Sequence, residues 1–193
     1  DRTFHKYDPS TDTWTRLADL PMQFIASTAA ISWGGKGWVY GSDRAMWMFD
    51  PVNESWTRKA VGPPFLINAQ AFLLNDQIFL CGGDGGTFYK EVWAYDLVNN
   101  TWTRKNDMPY VVGYTVAFAL NGKGYVCTGS SDYGQTSGTE HSAVFLQYDP
   151  ASDSWTELPP FPGGPRGGAF GFSDGYKAYV GMGNFAGIDL SDP

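Results

Sequence analysis

The sequence predicts an all-β fold assembled from repeated four-stranded antiparallel units, and three observations carry the prediction. First, "YDPSTDTW" at 7–14 returns as "FDPVNESW" at 49–56, "YDLVNNTW" at 95–102 and "YDPASDSW" at 148–155, which places Trp14, Trp56, Trp102 and Trp155 at spacings of 42, 46 and 53 residues. Self-similarity at such periods marks a repeat architecture. Second, an alternating apolar run leads to a second aromatic at Trp38, Phe79, Tyr125 and Tyr179, 23 or 24 residues after each Trp. Third, the 193 residues include 24 Gly, 12 Pro and 17% aromatics, a composition of short strands and tight turns, and no stretch sustains a 3.6-residue apolar period.

The elements follow in order. Residues 1–20 open inside a third strand, "TFHKYD", and continue through a turn to the strand at Trp14, which makes half a unit. The stretch 21–60 supplies a complete unit whose strands a to d are "STAAISW" from Ser27, "GWVYG" from Gly37, "AMWMFD" from Ala45 and "SWTRKA" from Ser55. Gly34-Gly35-Lys36 and Pro51-Val52-Asn53-Glu54 are the turns between them. The same order repeats over 61–106 and 107–159, and 160–193 begins a further, incomplete unit. Small residues after the second aromatic, "GS" at 41–42, "GG" at 82–83, "GS" at 129–130 and Gly183, mark the ends of strand b, where a side chain or a negative φ is unwanted.

A lone four-stranded blade cannot bury both of its faces, so radial stacking around a channel, a β-propeller, is the stable arrangement. The glycine-rich end of strand b, the Tyr-Asp pair ending strand c and the Trp opening strand d resemble the kelch-repeat family, most of all the kelch repeats of secreted or surface bacterial proteins. The resemblance covers essentially the whole chain. It implies that Tyr7, Phe49, Tyr95 and Tyr148, with Trp14, Trp56, Trp102 and Trp155, are structural residues packing between blades, and that the Asp of each copy bonds turn amides. Kelch rings usually hold six or seven blades. Ile188-Asp189 falls on the Tyr-Asp position of a surplus strand c, so about four blade equivalents are expected here as part of a larger ring.

Partners are bounded by charge. A formal net charge of −7 without a Lys/Arg cluster excludes nucleic acid and anionic membranes as expected partners, and no apolar run suggests membrane insertion by this segment. Cys81 and Cys127 occupy equivalent strand b positions on adjacent blades, too far apart for the roughly 7 Å limit on a disulfide, and read as small buried apolar residues. No metal or cofactor is expected.

In such a blade, loops a–b and c–d emerge on one face of the ring and loops b–c and d–a on the other. The first face carries uniform turns such as Asn75-Asp76, Asn121-Gly122 and Asp174-Gly175. The second varies: from the strand b aromatic to the strand c aromatic runs 11 residues (38 to 49), then 16 (79 to 95), then 23 (125 to 148). Variable loops on a rigid scaffold are where binding concentrates. The candidate binding residues are Phe88, Tyr89, Lys90, Tyr133, Gln135, His141 and Arg166, with Phe24, Phe65 and Tyr110 on the same face.

Catalytic readings find little to build on. The kelch class includes galactose oxidase, whose copper-radical site needs His ligands and a Cys–Tyr cross-link, and sialic-acid epimerase. This chain holds His5 and His141 alone, and no nucleophile elbow, phosphate loop or zinc motif. The expectation is a non-enzymatic interaction or scaffold module of a secreted or cell-surface bacterial protein with a protein partner. The alternative is a carbohydrate-binding or carbohydrate-processing propeller with a glycan partner, galactose-oxidase-like or sialic-acid-epimerase-like.

Overall fold

The structure, a computed structural model, describes residues 2–21, 29–63, 66–131 and 140–184. Sixteen strands form there, and each sheet joins strands consecutive in sequence, all antiparallel. An N-terminal hairpin holds β1 (His5–Asp8) and β2 (Thr13–Arg16). Three complete blades follow. The first is β3 (Ala30–Trp33), β4 (Lys36–Tyr40), β5 (Ala45–Asp50) and β6 (Ser55–Val61); the second is β7 (Gln70–Leu74), β8 (Gln77–Cys81), β9 (Val92–Asp96) and β10 (Thr101–Lys105). The third is β11 (Val116–Leu120), β12 (Lys123–Ser131), β13 (Glu140–Asp149) and β14 (Ser154–Glu157), and a hairpin of β15 (Phe170–Ser173) and β16 (Ala178–Gly181) comes last.

Turn chemistry sets these registers. Hairpins β3–β4, β7–β8 and β11–β12 close through Gly34-Gly35, Asn75-Asp76 and Asn121-Gly122, with both residues of every pair at positive φ, the type I′ geometry that matches strand twist. In the c–d turns, Oδ1 of Asp8, Asp50, Asp96 and Asp149 accepts the amide two residues on, from Ser10, Val52, Val98 and Ala151, at 2.8–2.9 Å. The four recurring aspartates are therefore turn formers.

First strands of successive blades lie side by side, β3 by β7, β7 by β11 and β11 by β15, so they line the axis and β6, β10 and β14 form the rim. Apolar cores sit between blades. Tyr95 and Trp102 pack against Trp38 and Tyr40 of the preceding blade, and Tyr148 against Phe72 and Phe79 of its own predecessor. The indoles of Trp102 and Trp155 donate back to the carbonyls of Ala60 and Asn106 at 3.2 and 3.1 Å. Gly62 makes room for the first of these, since a Cβ there would lie 2.5 Å from the Trp102 ring. Trp56 packs on Phe4, while Trp14 is 69% exposed.

A second device joins the blades. The last c–d turn residue, Asp12, Glu54, Asn100 or Asp153, is left-handed in every copy, at φ 53, 48, 57 and 49°. In the last two copies its side-chain oxygen takes two bonds: Asn100 Oδ1 accepts the Tyr95 hydroxyl (2.7 Å) and the Ala60 amide of the preceding blade (2.8 Å), and Asp153 Oδ1 accepts the Tyr148 hydroxyl (2.7 Å) and the Asn106 amide (3.1 Å). Where Phe49 supplies no hydroxyl, Glu54 reaches Lys6 instead, at 2.5 Å.

In the third blade the left-handed end of strand b lies one residue earlier than the sequence reading placed it. Gly82-Gly83 (φ 62 and 102°) is matched by Thr128-Gly129 (59 and 128°) and Met182-Gly183 (59 and 84°), so Gly129 is the second member of its pair. The Gly-Ser phrase hides this because Thr128, a β-branched residue, stands at a left-handed position that such residues rarely take.

Candidate interaction surface on the loop face

On the face of the b–c and d–a loops, the backbone is tied down three times in the same way. Ile67 and Asp84 exchange both amide bonds (2.8 and 2.7 Å), as do Gly113 and Ser130 (2.9 and 2.8 Å) and Gly167 and Asn184 (3.1 and 2.8 Å). Cross-links to the next blade's d–a loop run from the Gly83 amide to the Val112 carbonyl (3.0 Å) and from the Gly129 amide to the Arg166 carbonyl (2.8 Å). Loops held by paired backbone bonds present fixed side chains, which is what a recognition surface needs.

The residues singled out in the sequence fall into different roles. Phe88 is 9% exposed, turned onto Gly113 and edge-on to Tyr114 at 6.3 Å. Tyr89 is half-buried against the core between the first two blades, and Lys90 is exposed with its ammonium 4.0 Å from Asp107. His141 is half-buried, its Nδ1 3.0 Å from the buried Ser130 hydroxyl. Arg166 serves the backbone: it donates to the carbonyls of Gly163 and Met182 and lies over the Phe161 ring, 4.8 Å from its centroid. Tyr133, Gln135, Phe24, Phe65 and the Ile188-Asp189 pair lie outside the described residues. Among the described residues, one d–a loop of this face exposes three large side chains close together, Tyr110 (44%), Val111 (39%) and Tyr114 (36%), while Met182 (73%) stands exposed at the end of β16.

Two cavities are found among the described residues. One of about 410 Å³ lies between the third blade and the β15–β16 hairpin, lined by Phe118, Cys127, Phe145, Phe161 and Val180. Its walls are the counterparts, one blade on, of Phe72, Cys81, Val92 and Met108, which surround Tyr148 in the preceding core, so it is an inter-blade packing position. The other, about 240 Å³, opens on the loop face between Tyr110, Val111, Val112, Ser131 and Ser142.

The rim beside this cleft breaks the repeat. In the first blade Asp43 accepts from the Trp47 indole (3.1 Å) and Arg58 (2.9 Å); in the second Glu91 accepts from the Trp93 indole (2.9 Å), with Arg104 3.8 Å away and also bonded to Asp107 at 2.9 Å. Burial opposes ionisation of Asp43, but the bonds from Trp47 and Arg58 outweigh it and hold the carboxyl below its usual range. In the third blade Leu146 takes the Trp position and Glu157 the Arg position. The exposed Glu157 accepts the Tyr110 hydroxyl at 2.7 Å, and that bond, with the carboxylate's charge, pushes the phenol's pKa up. Glu157 escaped the sequence reading, although "WTR" at 14–16, 56–58 and 102–104 turning into "WTE" at 155–157 was a readable signal.

Both cysteines are free and buried; burial pushes the Cys127 thiol to about 11, with Arg166 opposing, and Cys81 higher still. Among the described residues no three His, Cys, Asp or Glu side chains gather where they could hold a metal ion, and no helix is long and apolar enough to cross a membrane.

Residues 68–109, which are the second blade, match the family profile described as Kelch motif. That blade is a kelch repeat. The other blades carry the same aromatic-Asp pair, left-handed turn residue and Trp at the same offsets. Kelch-like protein 35 of Mus musculus is 29% identical over 90 residues, a stretch covering 42% of this chain and 15% of that protein's length. The solved structure of YjhT superposes with a TM-score of 0.82 over 96% of this chain and 69% of its own, at 17% identity, a likeness of fold.

Proposed function

We propose that this kelch-repeat segment is a non-catalytic protein-interaction module that holds its partner on the b–c/d–a face. Kelch repeats commonly mediate protein interactions, which supports the class of function. The observation that carries the choice of face is the contiguous exposure of Tyr110, Val111 and Tyr114 on a loop whose backbone is fixed by the Gly113–Ser130 and Gly83–Val112 bonds. Aromatic residues on preorganised backbone are favoured as interface anchors. The opposite face exposes Val52, Val98 and Tyr176, but each sits alone in a separate turn, and scattered single apolar residues are ordinary surface.

A photo-reactive phenylalanine analogue at positions 110, 111 or 114, and at control positions 52, 98 or 176, tests the assignment in extracts of the source cells. Discrete, saturable adducts from the first set alone support the reading. Adducts from the turn positions alone, or equal yields from both faces, would overturn it.

A further inference from the structure

We propose that the cleft beside Glu157 is a seat for one cationic side chain, arginine or lysine, of the partner protein. The proposal rests on the loop-face reading and gives that face its chemistry. The first two blades cancel their rim charge internally, since Arg58 is bonded to Asp43 and Arg104 to Asp107. The third blade reverses the sign at the same strand position, and Glu157, exposed, has the Tyr110 hydroxyl as its one bonded partner among the described residues. Three residues past Arg16 and Arg104 stands an Asp that pairs with the arginine; three past Glu157 stands Pro160, so no neighbour of opposite charge replaces the lost pair.

The surroundings fit a cation on an aliphatic stem. Tyr110 offers an exposed ring whose face attracts a guanidinium or ammonium, Glu157 accepts its N–H groups, and Val111 and Val112 provide apolar wall for the methylenes. Ser131 and Ser142 also line the cleft and add polar surface to it. A volume of about 240 Å³ admits one large side chain but falls short of the usual pocket for a drug-sized ligand. The chain's net charge of −7 adds long-range attraction of the same sign.

The probes are two blocked pentapeptides, Gly-Arg-Gly-Arg-Gly and Gly-Glu-Gly-Glu-Gly, titrated into the full isotope-labelled chain and followed by amide and aromatic chemical shifts. Saturable shifts at Tyr110, Ser142 and Glu157 with the arginine peptide alone, weakened by salt, are expected. E157Q should lower the affinity about three- to tenfold, the range for one exposed charge-assisted contact, and E157R should abolish it. Equal binding to wild type and E157Q, shifts centred on Asp43 or Glu91, or no saturable shift would each overturn the seat. If positions 110 and 111 cross-link a partner whose affinity E157Q leaves unchanged, the loop-face reading stands and the cation seat fails. If the peptide binds as expected but those positions yield no adduct, the loop-face reading fails by itself.

Discussion

Replacing Asp153 by Ala removes the clamp between the second and third blades at a single atom. Asp153 Oδ1 accepts the Tyr148 hydroxyl at 2.7 Å and the Asn106 amide at 3.1 Å, and Tyr148 is wholly buried. Leaving a buried hydroxyl without its acceptor costs about 1–3 kcal/mol. The position has φ 49°, and an alanine forced into the left-handed region costs roughly 1–2 kcal/mol that Asp or Asn partly avoids. Together the loss is about 2–4 kcal/mol, with the lower half favoured because water replaces the acceptor for the exposed Asn106 amide. Asp153→Asn should cost much less, since Asn100 performs the same task one blade earlier. Urea unfolding followed by tryptophan fluorescence gives the difference, and the Tyr148→Phe cycle isolates the pair, with a coupling of about 0.5–3 kcal/mol expected. An alanine variant within about 0.5 kcal/mol of wild type, or an asparagine variant as damaging as alanine, would refute the clamp.

Other consequences follow from the same geometry. Gly62→Ala sets a methyl group against the Trp102 ring at 2.5 Å and should cost about 1–3 kcal/mol in the same urea assay. The turn carboxylates titrate below their unfolded values: Lys36 and the Val52 amide lower Asp50, Lys123 and the Ala151 amide lower Asp149, and turn amides lower Asp96. Their stabilisation is therefore complete above about pH 4–5 and is lost as the pH falls through the depressed values, so the urea midpoint should fall in acid, and less so in Asp50→Asn. Burial, then the Asp96 charge, pushes the Tyr95 phenol up to about 12, so its contribution is full below about pH 10 and declines above it, which phenolate absorbance alongside unfolding will show. Cys81 and Cys127 should resist a thiol reagent in the folded chain and react once urea unfolds it.

The fold was legible because its determinants are local and repeated. Gly34-Gly35 and Asn121-Gly122 announce type I′ turns, the Asp of each Tyr-Asp pair announces its turn, and the alternating runs assign the strands. The left-handed clamp was hidden because Asp12, Glu54, Asn100 and Asp153 share a backbone conformation and not a side-chain type, and because their partners lie a blade away. The true glycine pair at 128–129 was hidden for a similar reason, a threonine holding a conformation that usually calls for glycine. On the loop face, Phe88 and Arg166 look available in sequence and are occupied in space by Gly113 and by backbone carbonyls. Glu157 carries meaning only beside Arg58 and Arg104, once the blades are superposed.

The most direct test of the loop-face account is amide hydrogen exchange on the complex with the partner that cross-linking identifies. Slowed exchange confined to 84–90, 108–114 and the strand ends at 130–131 is the predicted result. Protection in the turns at 50–54, 96–100 and 149–153, with the loop segments unchanged, would contradict it.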